Sequence, residues 1–304
     1  MGFTRNRALW ALVAMVAGSC GQVNAAIDAK EASIDSPPIC SPSAKFGTPM
    51  ALFGLGDGGI ARLSPDELTI YYSSSSADLY VAHRTTATGA FGTPMPMMAQ
   101  NTASQEYDPT VSSDGLTLWF GSNRVANEGN HLYVATRTST LVEFDTPGLA
   151  GMLNAADVKQ ADAEPFVTAD GNELWFISSR PGGLGGYDIW HATRTGSSFT
   201  TPALAAELNS TSDENVPMLS SDRLTVYFTS ARVAPGTKGG LEVWTAHRST
   251  VNDGFATPIL VDELNTVNND YAAWLSADNC RMYVASSDGL SSPRLAIYMA
   301  TRQP

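Results

Sequence analysis

One short string, repeated five times, constrains this chain more than anything else in it. Leu79-Tyr80-Val81-Ala82-His83-Arg84 returns in kind at residues 132–137, 189–194, 243–248 and 297–302. The closing arginines stand at 84, 137, 194, 248 and 302, so the period runs from 53 to 57 residues. Aliphatic, β-branched and aromatic residues fill each copy, which is the chemistry of a strand. Self-similarity at such a period signals a repeat architecture in which no unit buries its own faces alone.

Two further blocks keep the same rhythm. Upstream of each string stands a turn signature: Ser64-Pro65-Asp66, Ser112-Ser113-Asp114, Thr168-Ala169-Asp170, Ser220-Ser221-Asp222 and Ser276-Ala277-Asp278. Ser, Thr and Asp side chains bond nearby backbone in tight turns, and Gly115 and Gly171 accept positive φ just after the Asp. Apolar stretches flank each turn, giving strand a, turn, strand b, loop, strand c. The third block, Phe46-Gly47-Thr48-Pro49, recurs at residues 91–94, 144–147, 199–202 and 255–258. Its proline lacks a donor and fits the entry to an outer edge strand, with the phenylalanine packing between neighbouring units. Four strands per unit point to an all-β, five-bladed β-propeller of four-stranded antiparallel blades. The first fourth strand, near Phe46, has no unit before it, and the last unit ends at Arg302 without one. The N-terminal strand is therefore expected in the last blade, closing the ring over residues 44–304.

Before the ring lies a leader. Arg5 and Arg7 precede the apolar run 8–17, too short to span a bilayer and suited to a signal-peptide core. Small residues lead to Cys20. This resembles the lipobox of bacterial lipoproteins, with Ala17 where Leu is usual. The resemblance implies a signal peptide over 1–19, lipidation at Cys20, and a flexible tether over 20–43 that contains Pro37-Pro38. It also implies export to the bacterial cell envelope, and Gly21 in place of Asp fits the outer membrane. Cys40 and Cys280 remain. In an oxidising compartment they are expected to pair and to staple the ring, since Cys280 follows the last a–b turn and Cys40 precedes the strand that joins that blade.

The repeat, best seen from Asp170 through Leu174-Trp175-Phe176-Ile177-Ser178-Ser179-Arg180 to Tyr187-Asp188-Ile189-Trp190, resembles the WD40-like repeat of TolB-type propellers. The resemblance covers residues 46–302. It implies the fold and leaves function open, because such repeats serve periplasmic scaffolds, envelope-anchoring domains and some enzymes. TolB-type proteins have six blades and an extra N-terminal domain; five are counted here, so their partners do not carry over.

Function must come from particular residues. Six residues before each turn Ser or Thr stand Gly58, Glu106, Asp162, Glu214 and Asp270, four of them acidic, at the start of strand a near one channel mouth. This ring either binds a cation or basic groups, or braces the loops between blades, and its repetition favours bracing. Tyr107, Tyr271 and Trp274 depart from the repeat; the first two are candidates for stacking on a ligand, and Trp274 reads as core filling. Each strand-ending arginine is expected to meet the turn aspartate of its own blade, Arg84 with Asp66 for instance.

The chain carries 18 Lys and Arg against 30 Asp and Glu, a formal charge of −12, which repels a phosphate backbone and argues against nucleic acid. His83, His131, His191 and His247 show no metal-ligand spacing, so no metal and no cofactor is expected. Gly54 to Gly59 matches a dinucleotide fingerprint in letters but lacks the strand–turn–helix context. No Gly-x-Ser-x-Gly elbow occurs. The leading expectation is a monomeric, non-catalytic envelope lipoprotein whose propeller mouth docks a protein or peptidoglycan-associated partner, touching membrane only through its lipid. The alternative is a carbohydrate-active enzyme with carboxylates at the central channel, for which Glu106, Asp162 and Glu214 are the acids in view.

Overall fold

The computed structural model describes residues 40–41, 43–287 and 295–303. The expected leader, the expected lipidation at Cys20 and the expected tether as far as residue 39 fall outside the described residues.

The chain opens on β1 (Met50–Ala51), which belongs to the last blade. Blade 1 is β2 (Gly58–Leu63), β3 (Thr69–Ser74), β4 (Leu79–His83) and β5 (Met95–Pro96). Blade 2 is β6 (Glu106–Val111), β7 (Thr117–Ser122), β8 (His131–Thr136) and β9 (Gly148–Leu149). In blade 3, β10 (Asp162–Val167), β11 (Glu173–Ser178) and a longer β12 (Asp188–Thr195) are followed by two short strands on β12, β13 (Ser198–Phe199) and β14 (Ala203–Leu204). Blade 4 is β15 (Glu214–Leu219), β16 (Thr225–Ser230), β17 (Glu242–His247) and β18 (Ile259–Leu260). Blade 5 is β19 (Asp270–Leu275), β20 (Arg281–Ser286) and β21 (Ala296–Thr301), completed by β1. All pairings are antiparallel, and helix among the described residues is confined to two single 3-10 turns, Gly151–Leu153 and Asp262–Leu264.

Packing explains the sequence pattern. The second strands, such as Thr225–Ser230, are buried along nearly their whole length, because each blade lies between two others. Such strands read as continuous apolar runs where a half-exposed strand would alternate. Each innermost strand packs on the next around the axis, and β19 packs on β2, so the ring closes. Closure is covalent as well. Met50 pairs with Met299, Phe46 bridges Arg302, and Cys40 forms a disulfide with Cys280.

The turns are built as their residues require. Ser64 Oγ donates to Asp66 Oδ1 at 2.6 Å, and the same carboxylate oxygen accepts the Leu68 N–H at 3.0 Å. The next residue always takes positive φ: Glu67, Gly115, Gly171, Arg223 and Asn279. This commitment of the aspartates corrects one expectation. Arg84 reaches the Glu67 carbonyl, with Nε at 2.7 Å, instead of Asp66, and Arg137, Arg194 and Arg248 reach the carbonyls of Gly115, Gly171 and Arg223. Their guanidinium groups also lie over the phenylalanines of the third block, Arg84 over Phe91 at 4.4 Å and Arg302 over Phe46 at 4.3 Å. Those rings do pack between blades: Phe144 meets Tyr71, Phe255 meets Trp175 and Phe46 meets Tyr227 edge-on.

Candidate functional site

The four acids of the repeated ring are fully buried and hydrogen-bonded within the scaffold. Glu106 accepts the Thr102 N–H and hydroxyl, the Ser122 hydroxyl and Arg124 Nη2. Glu214 repeats this with Ser210, Ser230 and Arg232. Asp162 accepts the Ala155 N–H at 2.7 Å and Arg180 at 2.6 Å. Asp270 accepts from Thr266 and Ser286. Each ties the incoming inter-blade loop to the end of the second strand, which is a brace.

Two residues further along, the same strands place a different set at the axis. That register reads Ile60, Asp108, Glu164, Val216 and Ala272. The innermost strand of every blade bulges at or next to this register, with breaks between Gly58 and Ala61, Tyr107 and Thr110, Ala163 and Phe166, Asn215 and Met218, and Ala272 and Trp274; what sets blades 2, 3 and 4 apart is the backbone of the residue held there. Asp108, Glu164 and Val216 sit in the left-handed region, at φ 52°, 54° and 49°. A bulge re-aims a side chain, and non-glycine residues held in this region gather at functional sites.

Asp108 and Glu164 share one cavity of about 200 Å³ with Tyr107, Tyr187, Asn130 and Asn215. Asp108 is buried, while Glu164 is half-buried and open to the cavity. Burial raises Asp108 from the ordinary carboxylate value to about 6, a rise moderated by the Arg62 charge and a Ser73 hydrogen bond. Burial raises Glu164 further, to about 8, and the neighbouring Asp108 charge adds to it; the Val216 N–H, 2.5 Å from Oε2, works the other way. Arg62, from blade 1, is the cation of this group. It is buried, its Nη2 reaches the Pro217 carbonyl at 3.3 Å, and its guanidinium lies 5.2 Å from the Phe166 ring centroid. Burial pulls its pKa down to about 10 against the two acids.

Of the aromatic candidates, Tyr107 lines the cavity and donates to Gln105. Tyr271 is half-buried and pushed up to about 12, first by burial and then by the charges of Glu164 and Asp108. Trp274 packs edge-on against Tyr283. Sequence reasoning named the braces and the tyrosines but missed Asp108, Glu164, Arg62 and Tyr187. The available signal was the loss of repetition: the register of Asp108 and Glu164 holds two acids, two aliphatics and an alanine, where the brace register is nearly uniform.

No protein-family model and no curated protein matches the chain. Solved structures do. The chain is similar to an α-L-arabinofuranosidase from Podospora anserina in complex with cellotriose, at TM-score 0.54 and 10% identity over 87% of this chain and 99% of that one. It is similar to a thermostable family-43 glycoside hydrolase at TM-score 0.52 and 14% identity, covering 83% and 95%. The catalytic domain of a GH62 α-L-arabinofuranosidase from Coprinopsis cinerea gives TM-score 0.51 at 9% identity, covering 86% and 98%. At these identities the likeness is one of fold, and it fixes the chain as a five-bladed propeller of the kind that glycoside hydrolases also use.

Proposed function

We propose that this propeller is a glycoside hydrolase in which Glu164 is the general acid and Asp108 its partner carboxylate. One observation carries the reading. Two acids that the repeat does not supply enter a single cavity lined by blades 2, 3 and 4, and their surroundings raise the pKa of one further than that of the other. Glycosidic cleavage needs that asymmetry: a protonated acid for the leaving oxygen and an ionised carboxylate for the anomeric side. Glu164, raised further than Asp108, keeps its proton to higher pH than its partner does. Tyr107 and Tyr187 offer faces for a sugar ring, and the amides of Asn130 and Asn215 offer donors and acceptors for hydroxyls.

This reading displaces the docking scaffold, because a surface for a protein partner has no use for two acids held on strained backbone inside one cavity. The structural neighbours named above support it, being hydrolases of glycosides by their own descriptions. Export and lipidation at Cys20 belong to the same proposal; the basic–apolar leader and the disulfide support an oxidising compartment.

The test is hydrolysis of a panel of p-nitrophenyl glycosides and plant and bacterial oligosaccharides by the purified chain. Turnover of one of them, lowered by about 10²–10⁴ in both Glu164→Gln and Asp108→Asn, is the expected result. Sugar binding without turnover in the wild type would reduce the site to a lectin-like one and overturn the assignment.

A further inference from the structure

The channel has a second mouth, on the side of the Ser-x-Asp turns. A cavity of about 80 Å³ opens there, and every blade contributes to it. Its wall carries one aliphatic residue from the same register of each innermost strand: Leu63, Val111, Val167, Leu219 and Leu275. The charged residue in the lining is Arg62. Asp108 and Glu164 line the opposite cavity.

Arg62 is only 2% exposed, and its Nε and Nη1 make no hydrogen bond among the described residues. Buried donors left without acceptors are costly, and more so on a cation. Blade 1 nevertheless places the guanidinium where the other blades have Thr110, Phe166, Met218 and Trp274. An acceptor that completes it from this side must arrive through an aliphatic collar, so it must ride on an apolar carrier. Carboxylate is the acceptor that best matches guanidinium in charge and hydrogen-bonding capacity.

We propose that this second mouth is a binding site for a carboxylate carried on a short apolar chain, with Arg62 as the anion ligand and the five-residue aliphatic collar around the chain. The turn aspartates lie outside the cavity lining. Asp66, Asp114 and Asp222 keep their charge against the hydroxyl and N–H of their own turns, and Asp170 and Asp278 are paired with Arg223 and Arg281. The proposal uses the other mouth and neither acid of the pair; Arg62 is the one residue it shares with the hydrolase reading, and the titration below reads binding at this mouth, not turnover at the other.

The experiment is calorimetric titration of the full chain with hexanoate and, separately, hexan-1-ol, followed in parallel by Trp fluorescence, because Trp274 lines the cavity. Saturable hexanoate binding, about tenfold or more tighter than hexan-1-ol, is expected. Arg62→Met should abolish that preference and Arg62→Lys should restore part of it. Leu219→Trp, which fills the cavity from its wall and leaves Arg62 in place, should block both ligands; it decides the matter if Arg62→Met does not fold. Equal affinity for acid and alcohol, no saturable binding, or binding that survives Leu219→Trp would overturn the site.

Discussion

Arg281 of the last blade meets Glu67 of the first, its Nη2 2.6 Å and its Nε 3.0 Å from the same carboxylate oxygen. Glu67 is 4% exposed and also accepts the Tyr283 hydroxyl at 2.8 Å, with Arg84 Nη2 at 3.5 Å. The pair spans blades 5 and 1, so it locks the blade 5–blade 1 interface that ring closure requires. Removing the carboxylate strands a fully buried Arg84. Glu67→Ala is expected to cost about 3–5 kcal/mol, the range for breaking a buried pair from one side. Urea unfolding of the variant against wild type checks it.

One residue before Arg281, the Cys40–Cys280 bond ties the N-terminal segment to the last blade and spans 240 residues. A cross-link over so long a loop restricts the unfolded chain strongly, by about 4–5 kcal/mol in the chain-entropy account. Cys280→Ser, or wild type in reductant, should melt at clearly lower temperature with its β-sheet circular dichroism intact below the transition. Because Arg281 adjoins Cys280, the double variant Glu67→Ala/Cys280→Ser should depart from additivity. A melting temperature unmoved by reductant would show that the strand pairing of Met50 with Met299 closes the ring unaided.

Much of this was legible before any coordinates. The recurring strand c, the Ser-x-Asp turn and the Phe-x-Thr-Pro entry give blade number, strand order and ring closure, because each is a local backbone demand repeated five times. The seam disulfide followed from where that order puts residues 40 and 280. The axial site was harder. Glu106 and Asp162 are conspicuous because they repeat, yet repetition is what bracing requires of every blade. Asp108 and Glu164 differ in chemistry from their counterparts Ile60, Val216 and Ala272, and, like Val216, they sit at a bulge with left-handed φ. Side-chain direction at a bulge does not follow the strand's alternation, so a reading based on period 2 puts them on the wrong face.

On the hydrolase reading proposed above, activity should trace a bell against pH. Glu164 must be protonated to act as acid, so kcat/KM falls as pH rises through about 8; Asp108 must be ionised, so it also falls as pH drops through about 6. Arg62 holds Asp108 down. In Arg62→Lys, whose charge is more mobile and more strongly hydrated, the acidic limb should move to higher pH while some activity remains. A pH–rate profile for both proteins is the measurement, and an unmoved acidic limb would remove Arg62 from this role.

A strained acid pair weakens the fold that carries it. Both carboxyls have folded-state pKa values above their ordinary ones, 4.5 to about 8 for Glu164 and 3.8 to about 6 for Asp108. The folded state therefore binds more protons than the unfolded chain in this window. Their contribution is fully present below about pH 4 and is lost as pH rises through the folded values. Glu164→Gln keeps shape and removes the charge of the acid with the larger shift, while Asp108→Asn would also take a counter-charge from the buried Arg62. Glu164→Gln should raise the melting temperature relative to wild type, more at pH 8 than at pH 5, a pattern that thermal melts at the two pH values would reveal.

Braces and axial acids should separate cleanly under substitution. Glu106 is fully buried and takes part in an ion pair with Arg124, itself stacked over Tyr133 at 4.3 Å. Glu106→Gln leaves that guanidinium without its counter-charge and puts an amide where several donors converge, so the Thr102 loop loses its anchor. Stability should fall by about 2–4 kcal/mol, while kcat/KM per folded molecule at 20 °C stays within about threefold. Glu164→Gln should do the reverse, sparing or raising stability and removing turnover. Denaturant melts and glycosidase assays on the same two preparations make the comparison. If Glu106→Gln alone abolished activity in a fully folded protein, the catalytic acids would lie in the repeated ring and the axial pair would lose its role.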